Sequence, residues 1–210
     1  MARMRPQAIL DRSMTTSEKS VSAENRRIAR YAAQAFGGTP SVREFVHDSL
    51  PLTVDILSCV GGAGPGFTAY STLGLSDHPM MDGGREFPTR VEFAGLMAAS
   101  DGGYHRVLGS AAFRVMRTRE VVRPGSVFLD YVAEYFPGIS LPHLYFSAPF
   151  YWGDALASSL FGNKRVSWLL GIPISGAELV YMREHGDDAL ESLLETHDAE
   201  VTSLQRPSVA

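Results

Sequence analysis

Ser76, Asp77 and His78 place side by side the nucleophile, acid and base types that hydrolases use to activate a serine hydroxyl. Adjacent side chains at a strand end point in different directions and cannot relay one proton. The G-x-S-x-G elbow that would expose such a serine is also missing, because position 78 is His. The residues read better as a turn, with Asp77 accepting from its own following amides and Pro79 stopping the strand. The glycine-rich run 61–66 is the candidate phosphate cradle. It carries neither G-x-G-x-x-G nor a following Lys-Ser/Thr pair, and Phe67-Thr68-Ala69-Tyr70 reads as a strand where the chemistry requires a helix N-terminus. A hairpin loop is the expectation. His47, His78, His105, His143, His185 and His197 show no H-x-x-x-H spacing, and Cys59 has no C-x-x-C partner. Asp77, His78 and Asp82 could meet at one loop, but solvated turn residues account for them. The chain is therefore read as not an enzyme, with no cofactor and no metal.

Aromatic side chains are densest in Leu144-Tyr145-Phe146-Ser147-Ala148-Pro149-Phe150-Tyr151-Trp152. Something must cover them, either the chain's own core or a partner groove, where Tyr and Trp are favoured anchors. A formal net charge of −4 argues against a nucleic-acid surface. The basic concentration is Arg106, Arg114, Arg117, Arg119 and Arg123. Tyr104, Val107, Leu108, Ala111, Ala112, Val115 and Met116 recur at the spacing of one helix face, which puts Arg106, Arg114 and Arg117 on the solvent side. Near the C-terminus Glu184, Asp187, Asp188, Glu191, Glu195, Asp198 and Glu200 stand without Lys or Arg. Surface helices with acidic first turns look like this, and such a patch would also attract a basic partner.

The elements that must position these residues are written locally. Ser22 can cap a helix whose face is Ile28, Tyr31, Ala32, Ala35 and Phe36, stopped by Gly37-Gly38. Strands are predicted over 42–46, 52–57, 67–73 and 89–97, a helix over 104–117, and short strands over 127–131 and 143–147. Residues 166–174 form an apolar, β-branched and aromatic run without charge, as expected of a strand covered on both faces, with Pro173 ending its pairing. Ser175 and Glu178 then form a capping box, with Ile174 and Leu179 as its apolar staple. Gly186 supplies a left-handed stop, and Asp188 with Glu191 repeats the box for a helix striped by Leu190, Leu193 and Leu194. Early strands with helices before, between and after indicate α+β or mixed α/β, one central mixed sheet flanked by helices.

A chain of 210 residues with 45% apolar and 20% charged positions is ordinary for one globular domain. Residues 1–22 are polar and aperiodic and are expected to form a disordered leader, with a single domain over 23–210. The lone Cys59 makes no internal bridge, and neither a membrane-length apolar run nor a signal-peptide core is present, so a cytoplasmic location is expected.

Leu73-Gly74-Leu75-Ser76-Asp77, preceded by Tyr70, resembles the "FGLSD" segment of the Suppressor of Fused domain family. Residues 90–97 are similar to the strand that follows it. The proline-ended strand, the two helices around Gly186 and the tail Arg206-Pro207-Ser208-Val209 resemble the C-terminal part of short bacterial members. The likeness runs from Ser41 to the C-terminus and rests on scaffold motifs, so it implies a fold more directly than a mechanism. It implies a SUFU-like domain that binds protein and performs no catalysis. In the family, the animal protein grips an extended peptide of a zinc-finger transcription factor by strand addition between two domains. The corresponding strand here is 70–77, which would accept a partner strand if it lay at a sheet edge. Tyr70, Thr72, Leu73, Ser76 and Asp77 are therefore candidate partner-binding residues, together with Tyr151 and Trp152. The short bacterial relatives point to an immunity protein that neutralises a toxin. The alternative is a small-molecule-binding regulatory domain that uses the aromatic segment and the glycine loop as pocket walls.

Overall fold

The computed structural model describes residues 9–10 and 22–210. In chain order the elements are β1 (Ile9–Leu10), α1 (Ala23–Phe36), β2 (Thr39–His47), β3 (Thr53–Val60), β4 (Phe67–Leu73), β5 (Met81–Asp82), β6 (Arg85–Glu86) and β7 (Arg90–Ala98). There follow α2 (Tyr104–Thr118), β8 (Val127–Phe128), β9 (His143–Ser147), β10 (Ser159–Phe161), β11 (Lys164–Ile174), α3 (Gly176–His185) and α4 (Asp187–Thr196). The leader expected over 1–22 lies outside the described residues, apart from Ile9, Leu10 and the capping Ser22. Among the described residues no helix is long and apolar enough to cross a membrane.

One mixed sheet runs β1-β2-β3-β4-β7-β11-β9-β8, with β10 folded back on β11, and β5 and β6 form a separate small hairpin. The chain is an α+β fold, as its sequence pattern predicts. β7 and β11 are parallel, from Val166 opposite Arg90 to Leu170 opposite Ala94. The other pairs of the large sheet are antiparallel. Alternation along the strands supplies two apolar faces. Ile56, Tyr70, Phe93 and Phe146 face α2. Leu57, Ala69, Leu96, Trp168 and Ile172 face α1, α3 and α4. The result is a three-layer domain in which the central strands are covered on both sides, which explains the uncharged run in β11.

The helix ends follow their local chemistry. Ser22 accepts from the Asn25 N–H, and Gly37 ends α1. Ser175 and Glu178 form the expected capping box for α3, and Gly186 at φ +96° stops it. The second box does not form. α4 begins at Asp187 with Gly186 as its cap, so Asp188 is inside the first turn and Glu191 is released for tertiary contacts.

Pro173 does not end β11, because Pro173 pairs with Leu144 and Ile174 with His143. β7 has already left the other side after Leu170. A strand residue's N–H and C=O point the same way, and the Pro173 carbonyl accepts from Arg206 Nη2 at 2.9 Å. The missing N–H therefore faces the vacated side and breaks no ladder bond. Arg114 also departs from expectation. It is half-buried, pairs with Glu120 at 2.5 Å, and lies 4.0 Å over the Phe128 ring, so its charge is used in packing α2 against β8. The strand predicted over 127–131 shortens to Val127–Phe128.

Candidate functional site

The candidate segment 70–77 lies inside the sheet. Tyr70 pairs with Ser58 of β3 on one side and with Gly95 of β7 on the other. Thr72 and Leu73 continue the ladder with β3 after β7 pairing ends at Ser71. Beyond Ser71 a side chain of β7 takes over from its backbone. Fully buried Glu92 accepts from Thr72 Oγ1 at 2.6 Å and from the Gly74 and Ser76 amides at 3.0 Å each, while Thr72 Oγ1 accepts from the Phe93 amide. The expected edge strand is thus an interior one, and its backbone groups cannot receive a partner strand. Tyr70, Thr72, Leu73 and Ser76 are all buried.

The chemistry of Glu92 is dominated by burial. Removal from water pushes its carboxyl from an ordinary 4.5 up to about 7, although the Thr72 hydroxyl and the two amides oppose the shift. Sequence reading missed this residue. The signal was a lone Glu in the otherwise apolar run Val91-Glu92-Phe93-Ala94-Gly95-Leu96-Met97, where a buried charge requires partners.

Ser76, Asp77 and His78 do not form a relay. Asp77 ends the short 3-10 turn Leu75–Asp77 and accepts from Lys164 Nζ at 2.5 Å and Asn25 Nδ2 at 2.8 Å. Lys164 also pairs with Glu24 at 3.1 Å, so the turn is tied to α1 and to the hairpin of β10 and β11. Burial raises the Asp77 carboxyl, but these donors outweigh it and hold the group below its ordinary range. Among the described residues no group of three His, Cys, Asp or Glu side chains is arranged to hold a metal. The glycine run 61–66 closes the β3–β4 hairpin, with Gly61 N–H donating to Phe67 C=O.

The aromatic segment divides between the two expected roles. Leu144, Tyr145 and Phe146 are buried in β9, and Trp152 is only 8% exposed and packs on Phe36 at 4.6 Å between ring centres. Phe150 and Tyr151 point outward at 55% and 41% exposure, with their rings tilted 35° to one another at 4.6 Å between centres. The Tyr145 and Ser147 hydroxyls donate to Glu191 of α4 at 2.8 and 2.6 Å. Of the candidate residues, Tyr151 and Asp77 reach the surface, on different parts of the fold. The depression lined by Arg123, Pro124, Gly125, Ser126, Met182 and Asp187 involves neither the glycine loop nor the aromatic segment.

The C-terminal tail is bound by a buried ion pair. Arg206 donates through Nη1 and Nη2 to the two Glu178 oxygens at 2.6 and 2.9 Å. Glu178 also accepts from the Ser175 amide at 2.8 Å and the Val209 amide at 3.0 Å. The capping glutamate of α3 is therefore the anchor of the last residues as well.

Comparison with known proteins agrees with this architecture. Residues 51–207 match the family described as Suppressor of fused protein (SUFU). The immunity protein YqcF of Bacillus subtilis (strain 168) is 36% identical over 189 residues, covering 90% of this chain and 98% of the relative. A SUFU homologue from Neisseria gonorrhoeae has the same fold at a TM-score of 0.66 and 15% identity, covering 89% of this chain and 97% of the other. Suppressor of Fused from Drosophila superposes at 0.62 with 12% identity, and 87% of this chain spans 50% of that protein's length. On the family match and the full-length 36% relative, the chain belongs to the Suppressor of fused protein (SUFU) family.

Proposed function

We propose that this chain is a non-enzymatic immunity-type protein that binds a partner protein such as a toxin and neutralises it. The observation that carries the reading is the 36% identity, across nearly the whole of both chains, to a protein named as an immunity protein. The use of the polar side chains supports it. Glu92, Asp77, Glu178 and Arg206 each satisfy backbone or side-chain partners that hold the fold. A solved structure described as the Sufu-Fu complex, matching at a TM-score of 0.65 and 13% identity over 89% of this chain and 92% of the other, supports partner binding as a use of this fold.

The test is growth. Each toxin encoded beside the gene is expressed in a sensitive host with and without this chain. Restoration of growth against one of them supports the reading; equal killing by every toxin with or without the chain ends it.

A further inference from the structure

Among the exposed large hydrophobic residues, Phe150 and Tyr151 are the adjacent aromatic pair. Phe150 and Tyr151 occupy the two central positions of a turn closed by the Trp152 N–H donating to Pro149 C=O at 3.2 Å. Such positions ordinarily take Gly, Pro, Asn, Asp or Ser. Two contacting aromatic rings there cost exposed apolar area and add nothing to the turn. The turn is nevertheless held firmly, because the adjacent Trp152 is packed on Phe36. An exposed aromatic pair, one ring bearing a hydroxyl, carried beside a buried anchor is what an interface hot spot needs.

The surroundings give the sign of the partner. Asp188, Glu191 and Glu195 recur at three- and four-residue spacing on α4 and are exposed. Glu191 accepts from Ser147, three residues before Phe150. Glu200 is exposed and close enough to Tyr151 to add to the effect of burial in raising its hydroxyl. Residues 184–205 contain no Lys or Arg. An unbalanced acidic row thus leads from α4 to the aromatic turn.

We propose that the Phe150 and Tyr151 rings with the α4 carboxylates form the docking surface for the sequestered protein, and that this partner presents a basic face with a recess for the rings. The proposal rests on the sequestering reading above and specifies its surface. The rings supply the desolvated anchor, and the carboxylates accelerate encounter.

Binding of the toxin identified by the growth assay is measured by surface plasmon resonance against the intact chain and three exposed-site variants. F150A/Y151A is expected to weaken binding about 10- to 100-fold, mainly through faster dissociation. D188K/E195K is expected to slow association about tenfold at low salt, the difference fading near 1 M salt. V42T, at an exposed position of β2, is expected to bind as the unchanged chain does. Thermal melts confirm folding of each. Full-strength binding by F150A/Y151A, or loss confined to V42T, overturns the surface and leaves sequestration standing. Loss in F150A/Y151A with no change in D188K/E195K overturns the basic partner face. A toxin that the unchanged chain does not bind overturns both the surface and the sequestering reading.

Discussion

The Tyr104 hydroxyl donates to the Gly171 carbonyl at 2.7 Å, joining the first turn of α2 to the middle of β11 across 67 residues. The ring fits because glycine stands beneath it on both parallel strands. A Cβ on Gly95 would lie 2.8 Å from Tyr104 Cε1, and one on Gly171 would lie 2.9 Å from Leu144 Cδ1 and 3.2 Å from the Tyr104 oxygen. Both glycines serve close approach.

Gly95→Ala is therefore expected to destabilise. The restricted unfolded chain would favour alanine by about 0.4–1 kcal/mol, but forcing a fully buried tyrosine and Leu108 aside costs about 1–3 kcal/mol, so the clash wins. Urea unfolding checks this, and a midpoint at or above that of the unchanged chain would refute the packing argument.

The proton on Glu92 links stability to pH. Its folded value of about 7 exceeds the ordinary 4.5, so the native protein holds the proton more tightly than the unfolded chain does. This contribution is complete below pH 4.5 and is lost as pH rises through 7, with a slope of at most about 1.4 kcal/mol per pH unit. Glu92→Gln keeps an acceptor for the Gly74 and Ser76 amides and supplies an N–H toward Thr72 Oγ1, so it should fold and remove this dependence. Parallel stability curves for both proteins between pH 4.5 and 7 would mean that Glu92 stays ionised.

Arg206→Met should cost about 3–5 kcal/mol, because it leaves the fully buried Glu178 carboxylate without its cation. Burial alone would raise the Glu178 carboxyl, and Arg206, with the Ser175 and Val209 amides, holds it below its ordinary range. Pairing the change with Glu178→Gln should recover part of the loss. Strict additivity in the denaturant cycle would show that the two side chains do not couple.

Ser76→Ala with His78→Ala should leave unchanged any protection found in the growth assay, since Ser76 is held at the buried turn by the hydrogen bond that its amide donates to Glu92 and forms no relay with Asp77. Lost protection in a variant that melts normally would reopen hydrolase chemistry at this turn.

Much of this protein is legible in its sequence because caps and periodicity are local. Ser22, Gly37, the Ser175–Glu178 box and Gly186 act within one turn of chain, and the apolar spacing of α2 names its buried face. Alternation says which face a strand residue occupies, but it is silent about which strand lies beside it. Only the tertiary structure placed β4 between β3 and β7, removing the expected edge at 70–77. Only chain return brought Arg206 to Glu178, Glu191 to Tyr145 and Lys164 to Asp77, pairs separated by 28, 46 and 87 residues. The aromatic segment shows the same division. Its composition announced that something must cover it, and the path of the chain decided that Trp152 turns inward to Phe36 while Phe150 and Tyr151 remain in solvent. Burial is settled by what packs from far along the chain, which no local spacing encodes.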